Sequence, residues 1–454
     1  MKSEEIFKKS VWQAIFQMAV PSLVSILVMM LYNMADMYFV GWLGDVSQVA
    51  AVSLVSPVFT ILMAISTMLG NGGCTMIAQA LGKGEEDKVR GYSSLCIWSS
   101  LASGLIFMAL CLPLQNPLLR FLGANEQMWS YAKIYLVVLA IGAPFILLNH
   151  NLASIIRGEG AIRQSMIANF VATIANIILD PIFIIVLRLG VGGAAIATVL
   201  GNVMGILYIC WFWKHHETHL SCRIQDAREH WRSLFHIIAL GMPNAITSTL
   251  GGFASTFSNQ LLVRYGTEAV AAMGAAGKST MIIGMVQMGI CMGVQPLMAY
   301  CYGSGDILRL KEIVRKLALL TVSLGAVLAL GSFLLREVLV GLFLKDAAAI
   351  KLGFHLVSFL VISSPFIGFF YLGVNLMQAA GKALTATFAS ALRQGILLIP
   401  MLYLLEALFH LEGLPLAHIV SDVISIAVSI LLSVCYLRKL EKNLVPSPAI
   451  FYNK

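Results

Sequence analysis

The stretch "VWQAIFQMAVPSLVSILVMMLYNMADMYFV", residues 11–40, decides the fold class. It is almost wholly apolar or small, and it contains no Lys or Arg. An apolar run of about 18 or more residues is long enough to cross the hydrocarbon core of a bilayer as a helix. Such runs recur along the whole chain, whereas barrel strands would show alternation over roughly ten residues. The sequence therefore predicts an all-α polytopic membrane protein.

Composition supports a membrane protein and excludes several other classes. Of the 454 residues 59% are hydrophobic and only 11% are charged, with a mean hydropathy of +0.86. Soluble domains carry about 25% charged residues. Lys8 and Lys9 precede the first run as in a secretory signal, but the run continues past Pro21 without a small-residue cleavage site, so it is predicted to be a spanning helix. The eight cysteines form no CxxC pair and are interpreted as apolar fillers.

Turn signals and charge clusters divide the chain into about twelve predicted transmembrane helices. They lie near residues 11–40, 47–81, 91–113, 129–155, 161–187, 191–214, 234–263, 268–302, 313–335, 350–380, 383–410 and 413–437. Most of the 30 basic residues fall in the connections on the side of the two termini. By the positive-inside rule that side is cytoplasmic, so the net charge of +8 reflects topology and no nucleic-acid partner is expected.

The chain repeats itself at a shift of 221–222 residues. Pro21 falls on Pro243, and "PFI" occurs at both 144–146 and 365–367. We therefore predict an N-terminal six-helix bundle at 1–214, a cytoplasmic amphipathic linker at 215–233, and a C-terminal six-helix bundle with a short cytoplasmic tail at 234–454. Six spans per half give a parallel internal repeat, an architecture typical of carriers with the substrate site between the halves.

Ionisable residues inside predicted spans mark candidate functional sites, because a charge in hydrocarbon costs at least a few kcal/mol. Asp36 lies in the first span, and "ANIILDPIF" places Asn176 and Asp180 on one face of the fifth span at i,i+4 spacing. Thr198 adds a hydroxyl in the sixth span. If these three helices are neighbours, two carboxylates, an amide and a hydroxyl form one pocket. Such a set suits a shared proton or a hard cation such as Na⁺.

Each of these residues also has a structural interpretation. Asp180 precedes Pro181, so its carboxylate could satisfy backbone groups that the proline leaves unpaired. Asp36 could lie at the outer end of its span and face water. Asn176 and Thr198 could make ordinary interhelical hydrogen bonds.

A second group of polar residues is predicted to line a cavity or contact substrate: Tyr32, Asn33, Gln295, Lys278, Arg393 and Asp422. Lys278 or Arg393 could instead pair with Asp422 and stabilise the C-terminal bundle without touching substrate. The sequence leaves both interpretations open.

Several motifs together make the chain resemble a multidrug and toxic compound extrusion (MATE) transporter of prokaryotic type. These are "NMADMYFVGWLG" in the first span, "RGEGAIRQSMIANFVATIANIILDPIFI" across the fourth-to-fifth turn, "GVQPLMAYCYGSGD" in the eighth span and "GLPLAHIVSDVISI" in the twelfth. The resemblance spans all twelve predicted helices.

The resemblance implies two six-helix bundles around a V-shaped cleft, exporting organic cations against an inward flow of H⁺ or Na⁺. In branches of the family a cation site uses an Asp on the first helix, an Asn and an Asp on the fifth, and a Thr on the sixth. These carry over to Asp36, Asn176, Asp180 and Thr198, with Tyr32 at a neighbouring first-helix position. Other branches place acids on the seventh and tenth helices, and this chain has none there, which favours coupling in the N-terminal half.

Two other function classes are less compatible with these residues. A lipid-linked oligosaccharide or lipid flippase of the same wider superfamily is the alternative, but it tends to carry several cationic residues in its cavity and often extra helices. A membrane enzyme has no supporting motif. The four histidines of the linker could bind a metal, but we interpret the linker as a solvated interfacial segment, because a metal site needs fixed geometry as well as suitable residue types.

The remaining expectations concern cofactors, partners and location. The sequence does not distinguish H⁺ from Na⁺ and does not name the substrate. No cofactor besides the coupling ion is expected. The expected partners are small organic cations and membrane lipids, and the expected form is a monomer in the prokaryotic plasma membrane.

Overall fold

A computed structural model describes residues 5–42, 46–341, 344 and 347–444, without the side chains of residues 5, 8, 31–41, 46, 347, 348, 443 and 444. Every regular element in these ranges is helical. The predicted all-α fold is therefore confirmed. Tyr32, Asn33 and Asp36 lie within a described helix, but their side chains fall outside the described residues.

Nine α-helices lie in the described part of the chain between residues 5 and 262. They are α1 (Glu5–Lys8), α2 (Val11–Trp42), α3 (Val46–Lys83), α4 (Glu86–Phe121), α5 (Glu126–Gly158), α6 (Ile162–Pro181), α7 (Gly190–His215), α8 (Ile224–Glu229) and α9 (Leu234–Leu262). A π-helical turn at Ile182–Val186 follows α6 directly. Since π-turns inside spans often mark functional sites, this one draws attention to the end of α6.

The later helices show the same pattern of long apolar helices with local breaks. They are α10 (Thr267–Gly303), α11 (Ile307–Leu334), α12 (Arg336–Gly341), α13 (Ala347–Leu360), α14 (Ile367–Ala379), α15 (Ala383–Ala391), α16 (Leu398–Phe409) and α17 (Gly413–Leu444). A second π-helical segment, Leu392–Leu397, joins α15 to α16.

The described helices are long and apolar enough for a polytopic membrane protein. Ten stretches qualify as membrane spans, and an eleventh results if Ala349–Leu360 and Ser364–Ala379, bent by 42° at their break, count as one. The last stretch, Ala383–Lys442, has 60 residues and contains the end of α16, a 3₁₀ turn at His410–Glu412 and the start of α17. The number twelve stays a prediction.

The chain forms two compact units, Met1–Thr249 and Leu250–Lys454. The first unit includes the beginning of α9, because glycines let this helix approach α3 closely. A Cβ at Gly72 would lie 1.9 Å from the carbonyl oxygen of Ile237, and one at Gly241 would lie 1.7 Å from that of Met68. The predicted bundle boundaries at 214 and 234 stay a prediction.

Each unit has its own apolar core. In the first, Leu62, Leu136 and Leu147 are buried where α3, α4 and α5 pack together. In the second, α10 packs against α13 and α14, and Val357 and Leu402 are among the buried residues.

The segment between α7 and α9 is docked on the N-terminal unit rather than solvated along its length. The buried Glu159 carboxylate, 1% exposed, accepts from the Thr218 hydroxyl at 2.9 Å and from the His219 N–H at 2.7 Å. On α4, Ser93 accepts from the Ser221 N–H at 2.9 Å, and the Trp98 indole donates to the Cys222 carbonyl at 3.1 Å. Sequence periodicity did not predict this docking, because the hydrogen-bonded residues lie between 59 and 128 positions apart in the sequence.

The linker histidines do not converge on a metal site. His230 packs edge-on against Tyr92 with 5.9 Å between ring centroids, whereas His216 stacks on Phe212. His219 lies 3.6 Å from a Glu86 carboxylate oxygen. Among the described residues no group of three or more potential metal ligands occurs.

Removal of the Glu159 carboxylate is expected to release the linker. In Glu159→Ala the Thr218 hydroxyl and the His219 N–H lose their acceptor, and leaving a buried donor unpaired costs about 1–3 kcal/mol. We expect backbone amides of residues 217–222 to exchange at least tenfold faster, measured by hydrogen–deuterium exchange. Glu217→Ala, which removes an exposed neighbouring carboxylate, is the matched control. Equal exchange in both variants would contradict the assigned anchor.

Candidate functional site

A buried polar cluster lies where α6 and α7 pack together. Asn176 and Asp180 are one turn apart on α6, and Thr198 faces them from α7. The three residues are 2%, 0% and 7% exposed. The structure thus brings together three of the four residues predicted for the cation site.

Asn176 joins the other two residues through its side-chain amide. Its amide is assigned with the nitrogen toward Asp180, because this orientation pairs both of its polar atoms. Nδ2 then donates to Asp180 Oδ2 at 3.0 Å, and Oδ1 accepts from the Thr198 backbone N–H at 2.9 Å. The opposite orientation leaves one long bond, from Nδ2 to Thr198 Oγ1 at 3.4 Å. The amide therefore fixes the position of the Asp180 carboxylate relative to α7.

The polar network continues through two asparagines that sequence reasoning missed. Asn202 Nδ2 donates to the Thr198 carbonyl at 2.8 Å, and Asn149 Nδ2 on α5 donates to Asn202 Oδ1 at 3.0 Å. The Thr198–Asn202 spacing of four residues was a usable signal, because it places both on one helix face. Asn149 carried no such signal, since its contact depends on how α5 is rotated.

Small residues on α7 make this close packing possible. Gly193, Ala197, Gly201 and Gly205 recur every four residues, a pattern that lets helix backbones approach in membranes. A Cβ at Gly201 would lie 2.6 Å from the Ala172 carbonyl oxygen on α6. The same glycine spacing leaves room at Gly205 for the Asn149 amide, whose oxygen would be 2.4 Å from an added Cβ.

Asp180 lies where the regular helix ends. Pro181 has no N–H, and the backbone then changes to the π-helical turn Ile182–Val186. Although the proline breaks the backbone ladder, Asp180 Oδ2 accepts from a side chain, that of Asn176. The observed geometry is the polar face that the i,i+4 spacing predicted.

The oxygen atoms of this cluster suit proton or cation binding. Asp180 supplies a carboxylate and Thr198 Oγ1 a neutral oxygen of the kind that hard cations prefer, whereas Asn176 Oδ1 accepts from the Thr198 N–H and its Nδ2 holds the carboxylate in place. α2 packs against α6, so the helix that contains Asp36 is a neighbour of the cluster. The participation of Asp36 stays a prediction.

A second polar cluster lies within the C-terminal unit. Arg393 Nε donates to Asp422 Oδ1 at 2.8 Å, and the two side chains are only 13% and 12% exposed. Ser363, at the break between α13 and α14, donates to Asp422 Oδ2 at 2.9 Å. The Arg393 guanidinium lies over the Phe370 ring at 5.0 Å. Asp422 thus connects the π-helical segment Leu392–Leu397, through Arg393, with the break between α13 and α14, through Ser363.

The other predicted contact residues occupy different environments. Gln295 is 1% exposed and donates to Gln378 Oε1 at 3.3 Å, which links α10 to α14. Lys278 lies on α10 with an exposed side chain. Their proposed contact with substrate stays a prediction.

An all-helical chain with this many apolar spans and a buried carboxylate network is typical of membrane transport proteins. Comparison with known proteins identifies the family. The MatE family model matches residues 21–182 and again residues 243–404, more than half of the chain. The chain belongs to the MatE family, and it is therefore an integral membrane transporter and not an enzyme.

Individual relatives agree with this assignment. The multidrug export protein MepA of Staphylococcus aureus (strain MRSA252) is 31% identical over 416 residues, covering 91% of this chain and 92% of MepA. MepA of Staphylococcus saprophyticus is 30% identical over 441 residues, covering 96% and 97%. A crystal structure of a MATE protein in the straight conformation has the same fold, with a TM-score of 0.91 at 24% identity over 97% of this chain and 99% of that one.

Proposed function

We propose that this chain exports small organic cations and drugs in exchange for an inward-moving cation, H⁺ or Na⁺. The buried Asp180–Asn176–Thr198 cluster is the observation that carries the proposal. A fully buried carboxylate in a membrane-spanning helix is costly unless it is neutralised by a proton or a cation, which makes it suitable as a coupling group. Relatives that are 30–31% identical are multidrug export proteins, which supports drug-like substrates.

The cluster would act by coupling its own charge state to alternating access. In the outward-facing state, Asp36 and Asp180 take up the cation, and neutralisation favours release of the drug. In the inward-facing state the cation leaves, and the ionised carboxylates favour binding of an organic cation. Exchange of one proton for one monovalent organic cation moves no net charge, so the membrane potential adds nothing and one pH unit supplies about 1.4 kcal/mol, enough for about tenfold accumulation.

The proposed architecture has twelve spans in two six-helix bundles, with both termini in the cytoplasm. Its support is that the family model matches twice, at starts 222 residues apart, the offset at which Pro21 and Pro243 align. The 60-residue stretch Ala383–Lys442 is also more than twice as long as one crossing requires, which is about 20 residues. We propose a monomer in a prokaryotic plasma membrane.

The flippase alternative has less support. It needs several cationic side chains in the cavity, and Arg393 is already paired with Asp422 at 2.8 Å. The named relatives are also exporters of drugs.

Transport in proteoliposomes tests the proposal. A fluorescent lipophilic cation is supplied to the wild-type protein, and a pH gradient and a Na⁺ gradient are imposed separately. We expect one of the two gradients to drive accumulation of the dye, which would also name the coupling ion. If neither gradient drives transport of this dye or of other organic cations, the coupled-export proposal is wrong.

A further inference from the structure

A cavity of about 450 Å³ in the C-terminal unit lies apart from both polar clusters. It is formed where the last turn of α10, the end of α14, the start of α15 and the last turns of α17 meet. Its walls comprise Tyr302, Met377, Lys382, Thr385, Leu432, Cys435, Tyr436, Lys439 and Leu440. The size is typical of a small-ligand site.

Two lysines on this cavity carry positive charge that the described protein does not neutralise. Lys382 and Lys439 are exposed, and within the described ranges neither has a carboxylate oxygen within 4.0 Å. The neighbouring Glu441 carboxylate pairs instead with Lys311 of α11. The cavity therefore has a net positive lining and suits an anionic ligand.

Two tyrosine hydroxyls lie in the same cavity as the lysines. The Tyr436 hydroxyl donates to the Tyr302 hydroxyl at 3.4 Å, so the two groups are close together, and the Tyr302 hydroxyl keeps its own proton as a donor. Ammonium and hydroxyl donors together match the oxygens of a phosphate group.

The remaining surface is apolar, which a soluble anion would not require. Met377, Leu432 and Leu440 line the cavity, while Leu384 and Leu431 beside it are 87% and 63% exposed. α15 and α17 belong to a membrane-spanning stretch, and the cavity lies at its end, where Lys439 follows the apolar residues of α17. Charged hydrogen-bond donors at a helix end suit a lipid headgroup, and the exposed apolar face next to them suits an acyl chain.

We propose that this cavity binds an anionic phospholipid, with its phosphate between Lys382 and Lys439 and an acyl chain along the outer face of α15 and α17. Basic pockets between transmembrane helices bind anionic headgroups in this way. The lipid is a bound partner and not a transported substrate. The proposal does not depend on which cation drives export.

Lipid binding to the purified full-length protein tests the proposal directly. Phosphatidylglycerol or phosphatidylcholine is titrated into the protein in detergent, and native mass spectrometry counts bound lipids. We expect preferential binding of phosphatidylglycerol by the wild type. The Lys382→Gln/Lys439→Gln variant should bind it about thirtyfold more weakly, about 2 kcal/mol at 1.4 kcal/mol per factor of ten.

A charge-matched variant separates a built site from general attraction. Arg438→Gln/Lys442→Gln removes two exposed cations from the same end of α17 but none from the cavity lining. We expect it to keep phosphatidylglycerol affinity within about threefold of the wild type. Equal losses in both variants would overturn the site, because only bulk charge would then matter. Displacement of the lipid by millimolar inorganic phosphate would show a free-anion site instead and would also overturn the proposal.

Discussion

Asp180→Asn is expected to abolish gradient-driven efflux while leaving the protein folded in the membrane. The substitution keeps the shape of the side chain, and the Asn carbonyl oxygen can still accept from Asn176 Nδ2, which lies 3.0 Å from Oδ2. What is lost is the negative charge that exchanges a proton or holds Na⁺ in the proposed mechanism. The measurement is dye accumulation in proteoliposomes under the gradient that drives the wild type. We expect accumulation to fall to the level of protein-free liposomes, a loss of about tenfold at one pH unit, because exchange of one proton for one monovalent cation supplies about 1.4 kcal/mol.

Two companion variants make this result specific. Asp87→Asn removes an exposed carboxylate from the first turn of α4 and is expected to retain full export. Asp36→Asn is expected to resemble Asp180→Asn if the two acids share the coupling site. Full gradient-driven export by Asp180→Asn would remove the α6–α7 cluster from the mechanism, even if the protein is a drug exporter.

Much of the N-terminal cluster was predictable from periodicity. Asn176 and Asp180 had to share a helix face because they are four residues apart. Thr198 lies in the following span, which is expected to pack antiparallel against the span that contains Asn176 and Asp180. Long apolar runs likewise predicted the all-helical fold, because a bilayer leaves few alternatives. Local spacing was sufficient in these cases.

The contacts that depend on helix rotation were not predictable. Asn149 contacts Asn202 across α5 and α7, and Glu159 anchors Thr218 and His219 across 59 and 60 residues. The sequence also left both Lys278 and Arg393 as possible partners of Asp422. The structure pairs Arg393 with it at 2.8 Å, a choice fixed by the rotation of α17 and the π-helical segment.

Arg393→Met is expected to destabilise the protein more than any exposed charge change. Asp422 would keep its carboxylate in a site where it is 12% exposed, with the Ser363 hydroxyl still donating to Oδ2 at 2.9 Å but without the guanidinium that balances its charge. Removal of one partner from a buried ion pair costs about 3–5 kcal/mol, because an uncompensated charge remains. The measurement is the free energy of unfolding, followed by denaturant titration in detergent micelles. Arg264→Met, which removes a 64% exposed arginine lying 3.7 Å from Glu406, should cost at most about 1 kcal/mol.

The double variant Arg393→Met/Asp422→Asn distinguishes a charge effect from lost packing. Asn keeps an oxygen that accepts from Ser363 but no charge, so the double variant should recover about 1–3 kcal/mol relative to Arg393→Met. If it recovers nothing, the loss comes from the packing of the guanidinium on Phe370, 5.0 Å from the ring centroid, and not from the ion pair. If it recovers stability and also exports dye normally, the pair holds the bent α13–α14 span and the π-helical segment together without a part in transport. Recovery of stability with loss of export would instead place Arg393 and Asp422 in the transport cycle, since folding could no longer explain the defect.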